Sequence, residues 1–311
     1  GTSKLLVKDG DTITYEFTTD EELYSATVKI NGEEITATGS GTSWSATTSN
    51  SFSSDVENVS FEVTEFKDLS GNTNTDTTTT DSVGTSVRID VTPPEISTRT
   101  ITRSNELGQS DPEETSKLLV KDGDTITYEF TTDEELYSAT VKINGEEITA
   151  TGSGTSWSAT TSNSFSSDVE NVSFEVTEFK DLSGNTNTDT TTTDSVGTSV
   201  RIDVTPPEIS TRTITRSNEL GQSDPEETSK LHVKDGDTIT YEFTTDEELY
   251  SATVKINGEE ITATGSGTSW SATTSNSFSS DVENVSFEVT EFKDLSCNTN
   301  TDTTTTDSVG T

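Results

Sequence analysis

Apolar and polar residues alternate with a period of two along much of this chain. Ile13, Tyr15 and Phe17 are separated by Thr14 and Glu16. Ala26, Val28 and Ile30 are separated by Thr27 and Lys29, and Val59, Phe61 and Val63 by Ser60 and Glu62. Val87, Ile89 and Val91 flank Arg88 and Asp90, and Trp44 and Ala46 form another inward pair. A period of two puts alternate side chains on opposite faces of a strand, so each segment predicts a strand with one buried face. Val, Ile, Phe and Tyr at the inward positions fit a pleated surface. Asn31-Gly32, between two such runs, predicts a two-residue hairpin turn. No helical period of comparable length occurs. About seven or eight short strands in roughly 110 residues predict a two-sheet antiparallel sandwich, an all-β fold.

The pattern recurs. Residues 2–92 match 115–205 at every position, and 93–114 match 206–227, a period of 113 residues. That length is enough for a domain with its own core, and far longer than a solenoid repeat. The expected organisation is three domains in an elongated array: 1–92 with its early part missing, 93–205 complete, and 206–311 without its last strand. This register predicts a segment of a longer array. No initiating Met, signal peptide or apolar run of membrane length is present, so targeting is expected elsewhere in the parent and no membrane insertion here.

The third copy departs from the others at two positions. His232 replaces Leu6 and Leu119, and Cys297 replaces Gly71 and Gly184. Gly71 lies in a tight turn where glycine permits positive φ, so a cysteine there is expected to cost about 1 kcal/mol. Leu6 lies between Lys4 and Lys8 on one face of an extended run, which predicts a solvent-facing His232. Both changes read as drift in a tolerant copy.

Eighteen basic against 57 acidic residues give a net charge of −39. Nucleic-acid binding needs a basic footprint, and anionic lipid repels this chain for the same reason. The charge also opposes self-association, so a monomer is expected. Two copies contain neither His nor Cys, which closes nucleophilic catalysis by Ser–His or Cys–His pairs and excludes a disulfide from the fold. No phosphate-cradling glycine loop or zinc spacing is present, and no enzyme is expected.

Residues 61–97 contain the turn Asp68-Leu69-Ser70-Gly71-Asn72, a following strand, and the junction Asp90-Val91-Thr92-Pro93-Pro94. This succession resembles the end of a bacterial immunoglobulin-like repeat, of the kind that builds the stalks of giant biofilm and RTX-type surface adhesins. The resemblance implies an extracellular, cell-surface spacer whose partners are the neighbouring repeats, with calcium bound at domain junctions. In such a sandwich the loop after the first long strand, the last hairpin turn and the incoming linker share one pole. That pole gathers Asp20, Glu21, Glu22, Asp68 and Asn72 in the first copy. In the second it gathers Asp133, Glu134, Glu135, Asp181 and Asn185, with Asp90 arriving from the linker. In the third it gathers Asp246, Glu247, Glu248, Asp294 and Asn298, with Asp203 arriving. Ca²⁺ takes six to eight oxygen ligands in irregular geometry, and crowded carboxylates repel unless a cation sits among them. The alternative is plain solvated acidic surface. A second cation near Asn105, Glu106 and Asp111 is a further candidate.

Two rival functions remain at this level. Each copy is a binding module for glycan, protein or ice, with avidity from repetition, and the Thr-rich run at 72–81 as its surface; that run reads as a loop-like filler. Or the open sheet edges of the incomplete copies accept strands from other chains.

Overall fold

A computed structural model describes residues 4–82, 84–104, 117–217, 231–275, 277–278, 280–303 and 309–310. The described residues form strands and no helix, arranged as three tandem immunoglobulin-like β-sandwich domains. The middle domain has the fullest set of strands. One sheet runs in the order Ile96–Arg103, Ile126–Thr132, Ser156–Thr160, Thr151–Ser153. The other runs Glu146–Thr149, Leu136–Ile143, Phe174–Asp181, Thr186–Asp189. Asn144 adopts φ 51° in the two-residue turn between Leu136–Ile143 and Glu146–Thr149, as the Asn-Gly signal predicts.

Two features depart from the antiparallel sandwich read from sequence. Lys117–Val120 pairs parallel with Ser199–Ile202, as does Lys4–Val7 with Ser86–Ile89. Parallel partners need a long connection, and most of the domain lies between these two strands. The Thr-rich run is also not a loop. Thr73–Thr78, Thr186–Asp189 and Thr299–Asp302 pair with the preceding strand, because the turn at 68–72 and its counterparts reverse the chain onto it. In the third domain, Val309–Gly310 pairs parallel with Leu231–His232, at the edge that Ser86–Ile89 and Ser199–Ile202 occupy in the other two.

The predicted inward positions form the core. Val141, Val176, Val200 and Ile202 are fully buried, and Tyr128 stacks on Phe174 with centroids 5.6 Å apart. Such pairs add about 0.5–1.5 kcal/mol beyond area burial. Tyr15 and Phe17 in the first domain are only half-buried, since that domain has no counterpart of Ile96–Arg103 in this sequence to cover them. Arg99, on Ile96–Arg103, reaches across to Asp189 with Nε donating at 2.8 Å, tying the two sheets together.

A bulge adjusts the phase of the last long strand. Val141 lies opposite Val176 but Thr140 lies opposite Glu178, so Thr177 is the extra residue. Phe174 and Val176 face inward before it, and Phe179 and Asp181 after it. Strict alternation would have turned Glu178 and Lys180 into the core. The bulge instead brings Asp181 to the end of the sandwich as a buried carboxylate.

His232 is exposed, as expected, but its counterparts are not on a wet face. Leu6 is half-buried and lines the recess between the first two domains with Leu182, and Leu119 is buried at 2% exposure. This position faces the next domain, which the charge pattern of its own strand does not reveal.

Gly71 and Gly184 have φ 91°, and Cys297 holds φ 70° in the same turn. A side chain in that region clashes with its own backbone, by about 1 kcal/mol. Cys297→Gly is therefore expected to stabilise the third domain by about 1 kcal/mol in urea unfolding, with the first two domains unchanged. An unaltered third-domain midpoint would show that the turn carries no strain.

Candidate junction site

Three elements meet where one domain hands over to the next. Leu136 lies opposite Asp181, which sets the loop at 133–135 beside the turn at 181–185. The Thr132 hydroxyl donates to the Glu134 carbonyl at 2.7 Å and fixes that loop. The linker at 90–95 then threads between them and is fastened along its length. The Asp90 amide donates to the Val7 carbonyl at 2.8 Å, and the Asp90 carbonyl accepts from Asn185 Nδ2 at 2.8 Å. Asp55 accepts from the Val91 amide and the Thr92 hydroxyl, both at 2.8 Å. Asn187 Nδ2 donates to the Pro94 carbonyl at 2.9 Å, and Asp133 Oδ1 accepts from the Glu95 amide at 2.7 Å. The second junction repeats the scheme: Asn298 holds the Asp203 carbonyl, Asp168 holds Val204 and Thr205, Asn300 holds Pro207, and Asp246 holds Glu208.

Within this frame Asp90, Glu134 and Asp181 each present a carboxylate oxygen within 4.8 Å of the other two, and Asp203, Glu247 and Asp294 do the same. Four of the six are 5% exposed or less: Asp90, Asp181, Asp203 and Asp294. Asn185 steadies Asp181 through its side-chain and main-chain nitrogens, both at 2.8 Å, and the Ser183 hydroxyl donates to Asp90 Oδ2 at 3.0 Å. Ser296 does the same to Asp203 at 3.0 Å.

Burial and mutual repulsion distort the acidities. Burial, reinforced by Asp90, Asp181 and Asp133, pushes Glu134 up to about 7. Burial with Asp203, Asp294 and Asp246 pushes Glu247 up to about 8. Asp68 and Asp294 carry the same turn sequence up to the cysteine and the same bond to the following Asn, yet they diverge. Asn72 holds Asp68 below the usual carboxylate range, whereas burial at the junction raises Asp294 to about 6. Asp203, arriving from the preceding domain, adds to that rise.

The other sequence candidates are placed differently. Asp133 and Asp246 clamp linker backbone, and Glu135 and Glu248 are exposed. Asp20, Glu21 and Glu22 are exposed, while Asn72 bonds Asp68 at 2.6 Å, with no linker carboxylate arriving. Asn105, Glu106 and Asp111 lie outside the described residues. Three participants were not singled out from sequence: the serines of the turn, the aspartates at 55 and 168, and Arg88 with Arg201. Arg88, on Ser86–Ile89, precedes Asp90, just past that strand, by two positions, and the two pair at 3.3 Å.

No protein-family model matches the chain, and no curated protein matches it. Among solved structures it is similar to the I9–I11 tandem of titin, at 13% identity and TM-score 0.33, over 99% of this chain and 96% of that one. It is also similar to SGBP-B of the Bacteroides ovatus mixed-linkage glucan utilization locus, solved with a mixed-linkage heptasaccharide. That match is at 12% identity and TM-score 0.19, over 100% of this chain and 66% of that one.

The raised pKa values set a pH dependence. A carboxyl that is more basic in the closed junction than in an open one favours closure when protonated. Its contribution is complete below the ordinary value of 4.5 and is lost as pH rises through about 7 for Glu134 and about 8 for Glu247. In chelator, interdomain order measured by small-angle scattering is expected to decline over that window. Glu134→Gln with Glu247→Gln, which mimics the protonated form, should flatten the decline. A wild-type profile that is flat through the same window would refute the linkage.

Proposed function

We propose that this chain is a spacer: a run of stiff immunoglobulin-like modules from the stalk of a bacterial cell-surface adhesin, monomeric and extracellular, with calcium stiffening each junction. The observation that carries this reading is the linker. Its polar groups at Asp90, Val91, Thr92, Pro94 and Glu95 are all bonded to one neighbouring domain or the other, and a buried carboxylate group sits on it. A spacer transmits length only when its hinges are fixed, and Pro93 and Pro94 restrict the backbone further.

The donor set suits a calcium ion. Its atoms are hard carboxylate oxygens, all within 4.8 Å of one another, close enough for one ion with Ca–O distances of about 2.3–2.6 Å to touch all three. A bound Ca²⁺ supplies two positive charges against the cluster and removes the proton from the glutamate. Near-identical copies are in keeping with a spacer, where length counts and distinct surfaces do not.

Thermal melts with titrated Ca²⁺ test the reading. Each junction is expected to gain about 2.7 kcal/mol when free Ca²⁺ is a hundred times its dissociation constant, raising Tm. Asp181→Asn with Asp294→Asn should remove the gain, and scattering in chelator should show a broader distribution of interdomain angles. A Tm and scattering curve indifferent to both calcium and chelator would overturn calcium stiffening.

A further inference from the structure

Each carboxylate group has a guanidinium beside it. Arg88 Nη2 lies 3.3 Å from Asp90 Oδ2, and Arg88 Nε lies 3.5 Å from Glu57 Oε2. In the second junction Arg201 Nη2 is 3.9 Å from Asp203 Oδ2 and Nε is 3.3 Å from Glu170 Oε2. The guanidinium therefore straddles two anions, one in the junction and one on its own domain. Glu57 and Glu170 have exposed side chains and also pair with Lys4 and Lys117. Arg88 lines the same recess as Glu134, which the following domain contributes, so its field reaches across the junction. Among the cations described at that recess it is the one paired with a cluster carboxylate.

We propose that Arg88 and Arg201 are the internal counter-cations of the junctions: they hold the carboxylates together when no metal is bound, and their competition sets the concentration at which a divalent cation takes the cluster. This rests on the calcium reading for its second half only. A guanidinium and a divalent ion close to the same carboxylate repel. Metal entry then drives the arginine fully onto Glu57 or Glu170, a position its Nε already holds in part. Arg88 and Arg201 are thus positioning residues, acting through Asp90 and Asp203.

The test compares the full chain with Arg88→Gln, Arg201→Gln and with Arg88→Lys, Arg201→Lys. In chelator at neutral pH and low salt, the Gln variant is expected to show a broader interdomain distance distribution by small-angle scattering than wild type. In calorimetric titration with Ca²⁺ alone, it should bind roughly tenfold more tightly, the scale of removing one screened unit charge beside a divalent ion. The Lys variant, which keeps the charge, should restore most of the wild-type behaviour in both. A Gln variant with unchanged scattering in chelator, or with equal or weaker calcium binding, would overturn the proposal. If wild type binds no calcium, the calcium reading fails and the scattering arm alone decides the role of the arginines.

Discussion

Three carboxyl groups are confined at each domain junction, two of them by hydrogen bonds that favour their charged form. Asn185 and Ser183 hold Asp181 and Asp90 from one side, while the linker backbone is fastened from the other. Asp90 and Asp181 cannot move apart without releasing those bonds, so repulsion between them is resisted by the fold. Confinement of that kind has three outlets: a proton, an internal cation or an external one. The proton affinity of Glu134, raised by burial, the lean of Arg88 toward Asp90 and the three clustered carboxylate oxygens correspond to these three. The rest of the junction's chemistry follows from which outlet prevails at a given pH and cation concentration.

That confinement is built by ordinary β-sheet devices. The bulge at Thr177 changes the phase of a strand so that Asp181 ends in the same buried register as Phe179. The loop at 133–135 is brought opposite it because Leu136 pairs with Asp181. Neither element needs a special residue. Positive φ at Gly184 tightens the turn, and the Cys297 copy keeps the same turn at φ 70°. Its thiol is pushed up by burial and by Asp294, which makes it a poorer nucleophile than an open cysteine. A change at this turn spares every cluster carboxylate, which is consistent with drift at a position that shapes the site without contributing to it.

The sandwich was legible because its alternation is local: Ala139, Val141 and Ile143 announce an inward face within eight residues, and all three are buried. The pole that gathers Asp90, Glu134 and Asp181 was also legible once an immunoglobulin-like topology was assumed, since topology fixes which loops meet. Less was legible about direction within the pole. Asp133 and Glu134 are adjacent and chemically alike in sequence, yet one clamps the linker and the other joins the cluster. Only the backbone path, set by Thr132, separates them. Leu119 was misjudged for a related reason: its strand pattern reports its own sheet, whereas its burial comes from beyond the core of its domain.

Near-identical sequence therefore does not mean identical chemistry along the array. Asp68 and Asp294 share a preceding strand and a bonded asparagine, in turns that differ only at Gly71 and Cys297, and their pKa values move in opposite directions. The property that matters belongs to the pair of neighbouring domains, and no single repeat possesses it. It arises at the handover between modules, where Asp90 of one domain meets Glu134 and Asp181 of the next. The position of His232 shows the same dependence on neighbours, since its counterpart Leu6 lines the recess between the first two domains.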